Sequence, residues 1–368
     1  MDPINHRSDR QLFFCYVHQQ SYQKIKCLSI CVENTIRISS TMKFLVSLSL
    51  LVASNGFVGA FTNVQPSFTR NQALHMAATD DTRVMVNGMP GPMATAAAEA
   101  CIRKGLKLAP FAMTGPDMEE MSITVVDSVT GNSANVRLIP SSNMDGIESS
   151  LKKARSQFGD ESVMAIDYTH PSAVNSNAVF YAENKIPFVM GTTGGDREKL
   201  MKDMEDASAS AVIAPNMGKQ IVALQAGLED LAKKFPSAFG DYKLHVKESH
   251  QKTKADTSGT AKAVVDSLKV LSGDDKYEYD DIEMIRDDDE SQDFGVKEEF
   301  INGHAFHTYT LTSPDGSVEF QLKHNVSGRT VYAEGTADGI KFLAKKISQG
   351  EGGQVYSMIN VLEEGAMD

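Results

Sequence analysis

Basic and hydroxyl-bearing residues are concentrated in one short segment of the chain, ESHQKTKADTSGTAK. His250 lies near its start, Lys254 follows four residues later, and Ser258-Gly259-Thr260 precedes an apolar-periodic run. That run predicts a helix that begins near Ser258, with the N–H groups of Gly259 and Thr260 unpaired in its first turn. A helix N-terminus attracts anions, and Lys254 is close enough to add a positive charge. The segment therefore predicts a small-anion site, where His250 is placed to offer a proton or a hydrogen bond.

A simpler interpretation stays open, in which a capped helix follows a basic loop whose lysines are solvated. The composition gives the cluster more weight, because 36 Lys+Arg against 48 Asp+Glu leave a net charge of -12. Such an acidic chain is not expected to bind nucleic acid. Its four cysteines predict neither a disulfide framework nor a metal site. The 41% hydrophobic and 23% charged content is typical of a soluble globular enzyme.

A second candidate site is the glycine turn GMPGPMA, which follows a short apolar strand predicted over Arg83–Asn87. Gly88 permits the tight turn, and Gly91 lets a pyrophosphate approach the backbone. Pro92 and Met93 then open an Ala-rich helix. The pattern is related to the dinucleotide-binding fingerprint, but a glycine turn between a strand and a helix also forms without a ligand.

The elements that must position these residues alternate between strands and helices. Alternation of this kind predicts an α/β fold with a Rossmann-like, doubly wound parallel sheet. In such sheets ligands lie at the carboxyl ends of the strands. The predicted strands are Arg83–Asn87, Leu106–Met113, Val163–Asp167, Phe188–Met190 and the stretch SAVIAPN.

Further candidate cofactor contacts fall at the ends of two of these strands. One group is Gly191, Thr192, Thr193 and Gly194, and the other is Pro215, Asn216 and Met217. Ordinary turns have the same residue types. The second strand ends without the acidic residue that usually holds the ribose of NAD, which favours NADPH over NADH.

The second half of the body predicts a smaller α+β domain with an open mixed sheet. An amphipathic helix, a strand over Tyr242–Glu248 and a helix over Ala261–Leu271 are followed by a hairpin that turns at Pro-Asp-Gly. Histidines 304, 307 and 324 match no metal-ligand spacing, so no metal is expected. We assign residues 80–215 and 334–368 to a dinucleotide-binding domain, and 216–333 to a substrate-binding and oligomerisation domain.

The first 79 residues have the composition of a targeting presequence. Residues 42–60 have the layout of a signal peptide, and their apolar core is too short for a membrane span. This layout favours Met42 as the start of the protein and predicts that residues 1–41 are an upstream extension. Residues 61–79 contain no acidic residue and have transit-peptide composition. Together they resemble the bipartite presequence of algal plastid proteins and predict the plastid stroma. Secretion is the rival, and the cysteine-poor body disfavours it.

Several motifs together resemble one family, 4-hydroxy-tetrahydrodipicolinate reductase (dihydrodipicolinate reductase) of the plant and algal type. They span residues 83 to about 345, and the ESH…K…SGT element is close to diagnostic. The resemblance implies reduction of a cyclic imine dicarboxylate with NADPH or NADH in the diaminopimelate route to lysine, in a homo-oligomer, dimer or tetramer. The matching pieces are GMPGPMA, DYTHP, PFVMGTTGGDREKL, PNMGKQ, ESHQKTKADTSGTAK, NGHAFHTYTLTSPDGSVEF and SGRTVYAEGT.

The resemblance also implies roles for individual residues. His250 would be the catalytic histidine and Lys254 the lysine beside the substrate, with Lys254 our candidate acid and His250 the alternative. The substrate carboxylate would bind at Ser258, Gly259 and Thr260, with Thr193 nearby. The implied cofactor contacts are Gly88 and Gly91 at the pyrophosphate, Gly191, Thr192, Thr193 and Gly194 at the nicotinamide end, and His170, which stands where bacterial members have an arginine.

Two rivals remain at this point. One is another two-domain NAD(P)H oxidoreductase, such as an aspartate-dehydrogenase-like enzyme, in which the Lys254 to Thr260 socket would be absent. The other is a cofactor-binding protein without catalysis, which the departures from the family pattern at Pro92 and Ala94 would permit. Neither reading involves nucleic acid, or a membrane after processing.

Overall fold

The computed structural model describes residues 82–365. The presequence predicted over 1–79 therefore lies outside the described residues. No helix within 82–365 combines the length and apolar character that crossing a membrane requires.

A parallel sheet forms the larger half, as predicted, and it has six strands. Its four central strands are mostly apolar and almost fully buried, because helices cover both faces of a parallel sheet. Its members are β1 (Arg83–Asn87), β2 (Lys107–Leu108), β6 (Val163–Asp167), β7 (Phe188–Met190), β8 (Ala211–Ile213) and β13 (Val355–Tyr356), in the order β13-β8-β7-β6-β1-β2.

The helices of this half include one from far along the chain. Residues Ala333, Ala337 and Ile340 of the late helix α8 (Thr330–Ser348) belong to the same hydrophobic core as β1 and β7. The covering helices are α1 (Pro92–Arg103), α2 (Met144–Phe158), α3 (Val174–Glu183), α4 (Arg197–Asp206), α8 (Thr330–Ser348) and α9 (Met358–Glu363).

The single strand predicted over Leu106–Met113 is wrong. The chain forms the short β2 and then, after Ala109-Pro110, a separate strand β3 (Phe111–Thr114). Proline lacks the N–H that a sheet ladder needs, so the ladder breaks there. β3 joins a three-stranded sheet that the sequence analysis did not predict, with β4 (Met121–Val126) and β5 (Ser133–Pro140), in the order β3-β5-β4.

The smaller half is built on the predicted mixed sheet, which has the order β10 (Glu283–Ile285), β9 (Lys243–His250), β11 (His304–Thr312) and β12 (Glu319–Ser327). Alternate apolar residues of β9 and β11, such as Val246 and Tyr309, form a separate core with Val264 of helix α6 (Gly259–Ser272). The elements are α5 (Lys219–Lys234), β9 (Lys243–His250), α6 (Gly259–Ser272), β10 (Glu283–Ile285), α7 (Asp288–Asp293), β11 (His304–Thr312) and β12 (Glu319–Ser327).

Candidate active site

The predicted anion site lies in the loop between β9 and α6. Ser258 is the N-cap of α6, and Gly259 and Thr260 are its first two residues. N–H groups at these positions have no acceptor inside the helix. A Cβ atom placed on Gly259 would meet no atom within 4 Å, so the space in front of this helix end is open.

Two residues that the sequence analysis did not single out hold this loop in place. The fully buried carboxylate of Glu248 accepts the N–H of Ser258 at 3.0 Å and Nη2 of Arg286 at 2.5 Å. Arg286 also donates to two backbone carbonyls of the loop, that of Lys254 at 2.7 Å and that of Asp256 at 3.2 Å. Glu248 and Arg286 therefore hold the loop at Lys254, Asp256 and Ser258, beside the residues predicted to bind the anion.

The ammonium of Lys254 already contacts a carboxylate. Its Nζ lies 2.7 Å from Oδ1 of Asp256, and the hydrogen bond from Lys254 holds the pKa of Asp256 below its usual value. The side chain of Asp256 is 78% exposed and that of Lys254 only 23%. Because Asp256 has little to restrain it, a carboxylate from a ligand could take its place beside Lys254.

His250 is buried at the end of β9, with its Nε2 atom 3.3 Å from Nε2 of His307. Burial, reinforced by the nearby charges of Arg286 and Lys254, lowers the pKa of His250 to about 3. Burial and the neighbouring histidines likewise lower the pKa of His307 to about 2. Both rings are therefore uncharged at neutral pH unless a bound anion raises their pKa values.

A row of polar side chains crosses the sheet beside this loop. The strand register places His307 of β11 directly opposite Glu248 of β9 on one side and His324 of β12 on the other. The rings of His307 and His324 stack with centroids 4.6 Å apart. His304 points to the other face, where its Nε2 lies 2.8 Å from Oγ of Ser249, which confirms that His304 and His307 face opposite ways.

At the predicted dinucleotide turn, the glycines are required by close backbone contacts. Gly88 has a φ of 99°, and a Cβ there would lie 2.1 Å from the carbonyl oxygen of Tyr168. Gly91 is the N-cap of α1, and Pro92 and Met93 are its first residues. The turn thus presents a helix N-terminus at the carboxyl end of β1, as a pyrophosphate site needs.

The loop after β7 lies beside this turn at the end of the neighbouring strand β6. Thr192 donates its hydroxyl to Oδ1 of Asp167 at 2.7 Å, and a Cβ on Gly191 would lie 2.5 Å from the ring of Tyr168. A Cβ on Gly194 would lie 2.7 Å from Cβ of Pro171. The predicted loop residues are thus packed closely against β6 and the turn after it, while the side chain of Thr193 is exposed.

The two halves meet at the end of β8. Nδ2 of Asn216 donates to Oγ1 of Thr260 at 3.2 Å, while its Oδ1 accepts the N–H of Gly218 at 2.8 Å. This contact brings the predicted anion site, the segment from Lys254 to Thr260 that we call the anion socket, to the carboxyl edge of the parallel sheet. Of its neighbours, Pro215 is exposed and Met217 is buried in the core of the larger half.

His170 lies in the turn after β6. Its exposed ring hydrogen-bonds Ser172 through Nδ1, with 2.9 Å to the hydroxyl oxygen, and so caps a short 3-10 helix over Pro171–Ala173. Its other ring nitrogen makes no hydrogen bond to another residue within 82–365.

Models of a known protein family match most of this chain in sequence. A family model described as the N-terminus of dihydrodipicolinate reductase matches residues 82–217, and one for the C-terminus matches 221–362. The chain belongs to the dihydrodipicolinate reductase family. It is 45% identical over 287 residues to the chloroplastic 4-hydroxy-tetrahydrodipicolinate reductase 1 of Arabidopsis thaliana, covering 77% of this chain and 78% of that one. For the chloroplastic reductase 2 of the same plant the identity is 44% over 285 residues, with the same two coverages.

Among solved structures, the dipicolinate-bound dihydrodipicolinate reductase from Paenisporosarcina sp. TG-14 matches 75% of this chain and 97% of its own. The TM-score is 0.49 and the sequence identity 17%, so the family assignment rests on the sequence matches alone.

The structure brings three residues to the candidate site that spacing did not reveal, namely Glu248, Arg286 and His307. Glu248 was visible in the sequence as the first letter of the ESH motif, and a buried acid at the end of an alternating strand is a usable signal. Arg286 lies 38 residues from its partner, in an acid-rich stretch, and had no local signal.

Proposed function

We propose that the protein catalyses the NAD(P)H-dependent reduction of 4-hydroxy-tetrahydrodipicolinate to tetrahydrodipicolinate, in the diaminopimelate route to lysine. The two compounds differ by one hydroxyl group, so the balanced reaction consumes one NAD(P)H and one proton and releases water. The observation that carries the proposal is the hydrogen bond between Asn216 and Thr260, which joins the anion socket to the edge of the nucleotide-binding sheet.

The residues at that edge suit a nicotinamide dinucleotide. Gly88 and Gly191 leave room where a Cβ would collide with Tyr168, and the N-terminus of α1 begins beside Gly91. We place the pyrophosphate at Gly88 and Gly91 and the nicotinamide end at the loop that begins with Gly191, and the cofactor when bound supplies the hydride. The missing acidic residue after the second predicted strand favours NADPH.

We place the dicarboxylate substrate at the start of α6. The N–H groups of Gly259 and Thr260 would hold one carboxylate at the positive end of the helix dipole, with Ser258 and Thr193 beside it. The second carboxylate has Lys254 within reach, where it would displace Asp256. Both interactions need an anion, and a dianion satisfies both at once.

Lys254 is the residue to which we assign delivery of the proton. His250 is uncharged at neutral pH because burial lowers its pKa to about 3, so in the free protein it has no proton to spare as an acid. We assign His250 to orient the substrate ring by a hydrogen bond. A bound dicarboxylate would raise the pKa of His250, because a nearby negative charge favours the imidazolium.

We assign residues 80–215 and 334–368 to the dinucleotide-binding domain and 216–333 to the substrate-binding domain. The placement of Ala337 and Ile340 in the core of the parallel sheet supports the return of the chain to the first domain. We further propose a location in the plastid stroma, which the composition of residues 1–79 and the chloroplastic relatives support. The proposal of a homo-oligomer, dimer or tetramer, rests on the family resemblance.

The direct test follows NAD(P)H absorbance while the preceding synthase makes the substrate in situ. No turnover with either cofactor would refute the proposal. We expect Lys254→Ala to lower kcat by about 10²- to 10⁴-fold, the usual contribution of a general acid, with little change in cofactor affinity. Lys252→Ala, an exposed lysine of the same loop, is the matched control. An unchanged kcat in Lys254→Ala would remove Lys254 from the mechanism.

A further inference from the structure

Three buried side chains bring potential metal-ligand atoms together beneath the anion socket. Nε2 of His250 and Nε2 of His307 are 3.3 Å apart. Oε2 of Glu248 lies 4.0 Å from the first and 3.8 Å from the second. All three residues are buried, and their ligand atoms all lie within 4.8 Å of one another. Within 82–365, no other three His, Cys, Asp or Glu side chains bring ligand atoms together in this way.

These separations are close to those of a tetrahedral metal site. Zinc binds imidazole nitrogen at about 2.0–2.1 Å, so two such ligands on a tetrahedral ion lie about 3.3 Å apart. The two histidine nitrogens already have this spacing. The carboxylate oxygen lies 4.0 and 3.8 Å from them and would need to move by about 0.7 Å to reach the same spacing from both.

The carboxylate is oriented for this contact from behind. Its Oε1 atom accepts the 2.5 Å bond from Arg286, while Oε2 accepts the N–H of Ser258 at 3.0 Å and faces the two histidines. Support of a ligating carboxylate by an outer hydrogen bond is usual in metal sites. The charge of Arg286 opposes a cation, but two imidazoles and one carboxylate with an open fourth position are a known zinc-binding set.

We propose that Glu248, His250 and His307 bind a divalent transition-metal ion such as Zn²⁺, and that the bound ion inhibits the enzyme. Occupancy takes Nε2 of His250 out of contact with the substrate and draws Glu248 towards the histidines, away from Ser258. The binding claim is independent of the reductase activity, whereas the inhibition claim rests on the proposed function.

Co²⁺ is the probe for binding, because a tetrahedral site with nitrogen ligands gives visible absorption bands that Zn²⁺ then abolishes. We expect one Co²⁺ per chain in the wild type, with these bands. His307→Asn and His250→Asn should each weaken binding by more than about tenfold, since loss of even an outer partner costs 10- to 100-fold. Two variants are used because His307 is buried and its replacement could impair folding.

The matched control is His245→Asn, which removes a half-exposed histidine that pairs with Glu283 at 3.3 Å on the other face of the sheet. Its Co²⁺ spectrum, and the inhibition of NAD(P)H turnover by Zn²⁺, should equal those of the wild type. Equal Co²⁺ binding in wild type and a folded His307→Asn or His250→Asn variant would overturn the proposal, as would an octahedral spectrum.

The two claims fail in different ways. A chain that binds Co²⁺ through these residues but turns over no NAD(P)H retains the metal site and refutes the reductase function. An active enzyme that binds no Co²⁺ at this site retains the function and refutes the metal site. An active enzyme that binds Zn²⁺ without inhibition overturns the inhibitory role.

Discussion

The substitution Glu248→Gln removes one charge from the support of the anion socket with almost no change of shape. Glutamine keeps an oxygen that can accept the N–H of Ser258, now 3.0 Å from the carboxylate. It loses the charged bond to Arg286. Arg286 keeps its three backbone acceptors, the carbonyls of Lys254, Asp256 and Ile285. The variant therefore isolates the ion pair from the rest of the loop.

The expected cost follows from the burial of the pair. Breaking a fully buried pair leaves one charge uncompensated and costs about 3–5 kcal/mol. The side chain of Glu248 is 0% exposed, but that of Arg286 is 18% exposed and retains other partners. We therefore expect a smaller loss, about 2–3 kcal/mol, which corresponds to a fall in Tm of roughly 5–10 °C.

The functional effect should be confined to the substrate. Arg286 fixes the backbone that bears Lys254, and misplacement of a reacting group by about 1 Å costs on the order of 10²-fold in rate. We expect kcat/KM for the dicarboxylate to fall by about 10- to 100-fold, while KM for the dinucleotide changes little because its glycines lie on other elements. Steady-state kinetics with each substrate varied in turn, and thermal unfolding of the free protein, measure both effects.

Glu283→Gln is the matched control for this experiment. Glu283 lies on the adjacent strand and pairs with Lys247 at 2.9 Å, with side chains 47% and 38% exposed. Exposed pairs contribute about 0–1 kcal/mol. If Glu248→Gln behaves like this control in both assays, the ion pair does not hold the socket. A lower Tm with unchanged kcat/KM would show that it stabilises the fold only.

The remaining predictions concern backbone space and acid stability. Gly191→Ala should lower Tm and weaken dinucleotide binding, because its methyl group would lie 2.5 Å from the ring of Tyr168. Gly227→Ala is the control: this glycine lies inside α5 with nothing within 4 Å of an added Cβ, so the change should raise the free energy of unfolding by about 0.5–1 kcal/mol. Equal Tm values for the two variants would refute the packing argument. Burial alone would raise the pKa of Glu334, but hydrogen bonds from the neighbouring basic residues Arg103 and Lys104 lower it in the folded protein. The ionised Glu334 side chain therefore stabilises the fold above its unfolded pKa, and this contribution is lost as the pH falls through the folded pKa. Urea unfolding at pH 7 and pH 3 should therefore show a smaller acid loss in Glu334→Gln than in the wild type, and no such change in the exposed control Glu299→Gln.

Local sequence patterns were sufficient to predict most strands of the parallel sheet. β1, β6 and β7 have the predicted bounds, because short buried strands between glycine and proline turns leave a clear apolar run. The region between Met121 and Phe158 was not predicted at all. Strand β4 there is largely exposed and lacks a continuous apolar run, so it had no comparable signal.

The proposed site was predictable only where its members are neighbours in sequence. Gly88 and Gly91, or Ser258 and Gly259, act through the backbone within one turn, and a turn is legible from residue type. The contacts between Asn216 and Thr260, and between Glu248 and Arg286, span 44 and 38 residues. Nothing in either local segment specifies its distant partner.

The sequence by itself determined the alternation of strands and helices, the glycine turns and the start of α6, because these depend on periodicity and backbone freedom over a few residues. Only the tertiary structure decided what surrounds His250. Strand register places His307 opposite Glu248, and packing buries all three residues. Register and burial arise from pairing between distant strands, and they determine both the low pKa of His250 and the proposed metal site beneath the anion socket.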